Sequence, residues 1–274
     1  MSLGKIFGES WREYWNNFSV FLKFMLIFLG LPTFILSIIS TIYLFINLDV
    51  WAIIINPQVF SQLSLSNVFG KLAPYFVLIL ISGFISFLLS VYVLKGIVCG
   101  GLKKNKYNYP ELKNLGKNGY WKFLGFCIVC GIFLFLLTLL LIIPGIIFGI
   151  FWIFGAYVFI SQNKGIIDSL KTSLHMVRGR WWKTFGYLVL IILIGAGVST
   201  VVSFLEIPFS VMSTVYATLN SSVSKPLFVA SAFFSWLTNF LSNLFILPFS
   251  VIFFKNYYLE VLGKNKSKKD NKQV

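Results

Sequence analysis

Charge is what this chain has least of. Only 11% of its 274 residues are charged, eight of them acidic, against the roughly one quarter with which a soluble domain covers its surface. Cysteine is scarce too. Cys99, Cys127 and Cys130 are the only three, all in or beside apolar stretches, which excludes a disulfide framework. Cys127-x-x-Cys130 has redox or metal spacing, but no second pair and no nearby histidine completes it, and the thiols read as buried and inert. The single histidine, His175, has no second histidine or carboxylate at ligand spacing. It reads as a surface side chain, with a pH-responsive headgroup contact as the sharper alternative. No Ser–His–acid set, Walker loop or HExxH motif occurs. An enzyme is therefore not expected, and no metal or cofactor is called for. No acidic residue is central in an apolar run, which weakens an ion-coupled carrier.

What the chain holds in quantity is apolar surface: 58% of its residues are hydrophobic, with 31 Phe and 8 Trp among them. They fall in runs longer than the ~20 residues that cross a hydrocarbon core. The prediction is an all-α polytopic membrane protein with six transmembrane helices. Its spans are roughly Phe18–Leu48, Leu72–Gly101, Phe123–Ile143, Ile146–Gln162, Lys183–Leu205 and Phe228–Leu259. The first, second and sixth exceed a perpendicular span and must tilt, kink or project, with Pro32 and Pro248 as kink points. Between the third and fourth, Pro144-Gly145 is the available turn, since proline disfavours helix at Ile143 and glycine permits the turn conformation. The first run is long and lacks a small-residue cleavage site, so a cleaved signal peptide is not expected.

Orientation follows from the cations. The N-terminus through Lys23 holds three Lys and Arg, Lys95 to Lys122 seven, Lys164 to Lys183 five and the tail from Lys255 six, which is 21 of 23. The alternate side has Lys71 and Lys225. Both termini are therefore expected in the cytoplasm, in the plasma or inner membrane. The net charge of +15 sits at the ends of apolar segments rather than on one soluble face, so nucleic acid is not the expected partner. Membrane lipids are, with anionic headgroups on the cytoplasmic face.

A weak repeat marks three of the cytoplasmic span starts. Tyr14-Trp15-Asn16-Asn17-Phe18-Ser19, Tyr120-Trp121-Lys122-Phe123-Leu124-Gly125 and Trp181-Trp182-Lys183-Thr184-Phe185-Gly186 each set aromatics beside a polar or basic residue. An indole lies well at the headgroup boundary and an adjacent lysine reaches the phosphates. Trp15, Trp121, Lys122, Arg178, Arg180, Trp181, Trp182 and Lys183 are the candidate headgroup anchors. Amphipathic stretches lead into them. Leu3, Ile6, Phe7, Trp11, Tyr14 and Phe18 share one helical face, and Ile166, Ile167, Leu170, Leu174 and Val177 another. Leu112 and Leu115 hint at a third, weakened by Gly116 and Gly119. The architecture expected is three hairpins, about 1–104, 105–163 and 164–262, each preceded by a short cytoplasmic interfacial helix. Together they make one membrane domain, 1–262, and 263–274 reads as a basic disordered tail.

Inside the spans the polarity is small and neutral. Ser231, Ser235, Asn239, Ser242 and Asn243 fall on roughly one helical face of the sixth, and Ser82, Ser86 and Ser90 repeat in the second. Gly195, Gly197, Ser199 and Ser203 mark the fifth, and Gly145-x-x-x-Gly149 the fourth. Close helix packing accounts for such residues, and a polar cavity for a headgroup or solute is the functional alternative. Glu206 reads as a helix-end carboxylate. The Ser/Thr-rich loop from Ile207 to Pro226 is expected partly on the membrane and includes the glycosylation pattern Asn220-Ser221-Ser222.

At Ile142-Ile143-Pro144-Gly145-Ile146-Ile147, Ser169-Leu170-Lys171-Thr172-Ser173 and Val177-Arg178-Gly179-Arg180-Trp181-Trp182-Lys183-Thr184-Phe185-Gly186, the chain resembles a known group. It is similar to the membrane-domain superfamily of glycerophosphoryl diester phosphodiesterases and the related YciC-like integral membrane proteins. In fused members of that group the membrane domain accompanies a soluble barrel that cleaves glycerophosphodiesters. No soluble stretch of this sequence has room for that barrel, so the resemblance implies the membrane architecture and not the activity. Two functional readings stay open. The first is a non-enzymatic lipid-interacting scaffold or partner subunit, with a protein partner or a second copy of itself. The second is a small transporter or permease for a lipid-like or neutral solute.

Overall fold

The computed structural model describes residues 3–47, 65–103, 107–220 and 224–270. Every regular element among them is helical. In chain order these are α1 (Leu3–Asn16), α2 (Phe18–Met25), a π-helical turn (Leu26–Gly30), α3 (Leu31–Ile46), α4 (Leu65–Lys103), α5 (Tyr109–Lys117), α6 (Tyr120–Leu140), α7 (Ile142–Phe151), α8 (Gly155–Gln162), α9 (Ile166–Val177), α10 (Trp181–Ser203), α11 (Ile207–Asn220) and α12 (Lys225–Asp270). Six segments are long and apolar enough to cross a membrane: Phe18–Ile46, Leu72–Lys103, Tyr120–Leu140, Ile142–Gln162, Trp181–Ser203 and Pro226–Gly263. Helix is the form such runs must take, because in hydrocarbon only a helix satisfies its own backbone polar groups.

The three prolines behave differently. Ahead of Pro32 the first run loosens into the π turn, an accommodation for a residue that cannot donate a backbone hydrogen bond. Through Pro248 the assignment of α12 is unbroken. At Pro144 the expected turn is displaced. The extended residue is Leu141 (φ −156°, ψ 131°), and α7 restarts at once with Pro144 in its first turn, where a missing N–H costs nothing. The fourth segment is therefore 21 residues long, Ile142–Gln162. Gly145 is needed for contact rather than for turning, since a Cβ there would overlap the Thr138 side chain and lie 3.0 Å from its Cα.

Contacts divide the chain into two compact units. The first comprises Met1–Met25, Val91–Gly195 and Leu244–Val274. In it α1 buries Ile6, Ser10 and Tyr14, one stripe at four-residue spacing. Ser10 Oγ donates to Ile6 O at 2.7 Å, which satisfies the one polar member. Phe154 packs between Tyr257 and Tyr258, with ring centroids 5.2 and 5.7 Å away. Between α7 and α8 the helix breaks at 152–154. Ser173 of α9 repairs it: Oγ donates to Phe151 O at 2.7 Å and accepts from Phe154 N at 3.1 Å. Ser169, its partner in the Ser-x-x-x-Ser motif, is also fully buried and donates to Gly165 O. The buried stripe of α9 is thus Ser169, Leu170, Ser173, Met176 and Val177, while Ile167, on the apolar face read from the sequence, is exposed.

The stretch hinted at by Leu112 and Leu115 is helical, as α5, and includes Gly116. That glycine lets the Tyr92 ring pack where a Cβ would sit 2.8 Å away, beside the buried Leu112 and Leu115.

The second unit comprises Leu26–Ser90 and Ala196–Asn243. Gly30 admits the Phe240 ring to 2.7 Å of where a Cβ would stand. Trp236 Nε1 donates to Thr33 Oγ1 at 3.2 Å, and Phe209 stacks on Phe234 at 4.0 Å. The segment expected as a loop after the fifth span is largely α11; Ser221 and Ser222 of the glycosylation pattern lie outside the described residues. α12 runs on to Asp270, into the segment that composition reads as structureless, and 271–274 lie outside the described residues.

Candidate functional site

The first unit contains a buried polar cluster where lysines enter apolar surroundings. Lys255, on α12, has a side chain 1% exposed, and its Nζ lies 2.5 Å from Glu13 Oε1 on α1. Tyr107 Oη donates to the same oxygen at 3.0 Å. Asn256 Nδ2 donates to Glu13 Oε2 at 3.3 Å and to Ser10 Oγ at 3.0 Å. Burial first, then the Glu13 carboxylate, pushes the Tyr107 phenol far up, so it acts as a donor throughout the physiological range. Gly101 keeps this pocket open, since a Cβ there would stand 2.8 Å from both Lys255 Cδ and Tyr107 Oη. Lys95 of α4 is the second buried cation. Its Nζ donates to Leu115 O at 2.5 Å and to Asn118 O, carbonyls at the end of α5 that have no helical partner.

The same unit holds a cavity of about 900 Å³. Its wall is made by the end of α4 (Cys99, Leu102, Lys103), the end of α8 (Ile160, Ser161, Gln162), Lys164, the Thr172, His175 and Met176 face of α9, and Tyr258, Leu259 and Leu262 of α12. Tyr258 Oη is fixed by Ser161 Oγ at 2.7 Å and Gln162 Nε2 at 3.3 Å. Lys164 Nζ donates to Thr172 Oγ1 at 3.1 Å. Among the described residues the lining contains two lysines and a histidine but no carboxylate.

The second unit has a cavity of another character, about 530 Å³ and rich in hydroxyls. Ser37, Ser40 and Thr41 of α3, Ser210, Ser213 and Thr214 of α11, and Ser231, Ser235 and Asn239 of α12 line it, together with Glu206 and Tyr75. The predicted stripe is thus divided. Ser231, Ser235 and Asn239 reach the cavity, while Ser242 is buried and Asn243 is exposed, and neither is among the lining residues. Asn243 Nδ2 donates instead to Asn239 O at 2.8 Å, and Asn239 Nδ2 to Ser235 O.

The predicted anchors remain in three groups. Trp15 packs with Trp11, Tyr14, Phe18 and Phe245. Trp121 is 77% exposed beside Tyr120, with Lys122 exposed next to it. Trp182 is also 77% exposed, while Trp181 stacks on Phe185 at 5.4 Å and is half-buried. Lys183 Nζ lies over the Tyr187 and Tyr257 rings at 5.3 and 5.8 Å, so its charge is engaged by a cation–π contact. Arg178 is exposed and Arg180 half-buried.

Sequence reasoning missed the Glu13–Lys255–Tyr107 cluster and Lys95. It counted both lysines as loop cations, although each stands inside an apolar segment. That position was the available signal: a lysine placed before Gly96-Ile97-Val98, or after Phe253-Phe254, has to find a partner. Cys99 is buried and Cys127 and Cys130 half-buried, all as free thiols.

The chain belongs to DUF7544, a family of unknown function, which it matches over residues 106–271. No curated protein and no solved structure matches it.

Proposed function

We propose that this family member is a non-enzymatic membrane protein that engages lipid headgroups, as a scaffold or as a partner subunit of a protein complex. In this reading the six apolar segments pair as three hairpins, and α1, α5 and α9 lie along the cytoplasmic interface. Both termini are cytoplasmic in a plasma or inner membrane, and the cation-rich segments face anionic lipid. The observation that carries the reading is the exposure of Trp121 and Trp182 at the first turns of α6 and α10, each followed by an exposed lysine. An indole left in water forfeits a large apolar burial, whereas at a headgroup boundary the ring is covered and the neighbouring ammonium meets phosphate. The resemblance of 142–186 to membrane domains that accompany glycerophosphodiesterases points in the same direction.

Native mass spectrometry of the purified chain tests this. Preferential retention of anionic over neutral glycerophospholipid is expected, and Trp121→Ala/Trp182→Ala should weaken it. Equal retention of both lipid classes, or none, would refute the reading.

The hydroxyl-lined cavity of the second unit favours a different reading, a permease for a small neutral solute. Apart from Glu206, its polar groups offer hydrogen bonds without charge, as a polyhydroxylated solute would need. Flux of labelled polyols into proteoliposomes, lost in Ser235→Leu/Asn239→Leu, would support it, and no flux across a solute panel would remove it.

A further inference from the structure

We infer that the cavity of the first unit, between the ends of α4, α8 and α12 and the side of α9, binds one phosphate group, and that an apolar body is attached to it. This inference rests on the lipid-engaging reading and gives it a site. Three observations converge. First, Lys103, Gln162 and Leu262 all line the cavity, and each lies at or beside the last residue of a membrane-length segment, namely Leu72–Lys103, Ile142–Gln162 and Pro226–Gly263. The cavity therefore sits where three apolar stretches give way to polar sequence, the depth at which a headgroup phosphate lies.

Second, its charge is of one sign. Lys103 and Lys164 contribute ammonium groups, His175 a further nitrogen donor or acceptor, and no carboxylate among the described residues lines the wall. Lys164 holds Thr172 Oγ1 with one of its three donors, which orients the group and leaves hydrogens for an anion. Third, part of the wall is apolar: Leu102, Ile160, Met176, Leu259 and Leu262. A free phosphate has no use for such a wall, whereas the glycerol backbone and upper acyl carbons of a lipid do. A volume of about 900 Å³ is within the range of small-molecule sites. Tyr258, immobilised by Ser161 and Gln162, makes the floor rigid.

The test uses the full chain in detergent and native mass spectrometry. The probes are dioleoyl phosphatidic acid, dioleoylglycerol (the same body without phosphate) and inorganic phosphate. The wild type is expected to hold one phosphatidic acid saturably, dioleoylglycerol much more weakly, and phosphate at millimolar levels only. Lys103→Gln/Lys164→Gln should lose phosphatidic acid affinity by at least about tenfold, because hydrogen bonds to charged groups are each worth that much or more. The control Lys113→Gln/Lys117→Gln, two exposed cations outside both the cavity lining and the headgroup anchors, should change it by less than about twofold.

If the Lys103/Lys164 variant binds phosphatidic acid as the wild type does, the cavity is not the site, although a general preference for anionic lipid would leave the wider reading standing. Loss of all lipid preference in the wild type removes both. Saturable phosphate binding that phosphatidic acid does not displace would overturn the apolar-body part and assign the site to a soluble phosphate compound. Circular dichroism and the melting temperature of each variant guard against reading misfolding as lost affinity.

Discussion

Glu13→Leu should be among the most damaging single substitutions outside the apolar core. The carboxylate it removes accepts from three donors: Lys255 at 2.5 Å, Tyr107 at 3.0 Å and Asn256 at 3.3 Å. Lys255 cannot recover by moving into solvent, since its side chain is 1% exposed and Glu13 is only 11% exposed. Breaking a buried pair from one side costs about 3–5 kcal/mol, and the Glu9 carboxylate, which also attracts Lys255, holds the loss to the lower part of that range. Lys255→Met should cost less, about 1–3 kcal/mol, because Glu13 retains two neutral donors and some access to water. The double variant Glu13→Leu/Lys255→Met removes both charges and should be more stable than Glu13→Leu alone by about 1–2 kcal/mol. The assay is reversible unfolding in mixed micelles, titrating SDS mole fraction and following far-UV circular dichroism, with the four proteins forming a double-mutant cycle. Additivity of the two single substitutions to within about 0.5 kcal/mol would mean that the groups are uncoupled. That outcome, or a Glu13→Leu cost below about 1 kcal/mol, would refute the argument.

Two further perturbations probe packing. Lys95→Met withdraws a cation from the Leu115 and Asn118 carbonyls, so amide exchange in α5 should accelerate by about tenfold to a hundredfold. Unchanged exchange would show that water replaces the lysine without loss. Gly145→Ala forces a Cβ onto Thr138 and should cost about 1–3 kcal/mol. Gly149→Ala, whose nearest neighbour would be Leu134 Cδ2 at 3.8 Å, should be neutral or gain the ~1 kcal/mol by which alanine exceeds glycine in a helix. Equal melting temperatures for the two alanine variants would contradict the contact assigned to Gly145.

Much of this molecule was determined by composition and periodicity alone. Apolar runs of such length must be helical, because hydrocarbon offers their backbone groups no other partner, and the six segments follow from that. The faces of α1 and α9 were legible in part: Ile6, Tyr14, Leu170 and Val177 are buried, but Leu3, Trp11 and Ile167 are exposed, and Ser10, Ser169, Ser173 and Met176 complete the buried stripes. What only tertiary structure decided was which polar groups meet. Lys255 and Glu13 are 242 residues apart; the apolar Phe253-Phe254 beside Lys255 indicates that it needs a partner, but nothing in its neighbourhood indicates that the partner is Glu13. The Ser-x-x-x-Ser motif was visible as a pattern, but its use in repairing the break at 152–154 depended on α9 packing against that break. The break likewise stands at Leu141 rather than at Pro144-Gly145, and Gly145 lies closely against Thr138 across it. Local chemistry thus specified the elements, while partner choice came from the packing of helices distant in sequence.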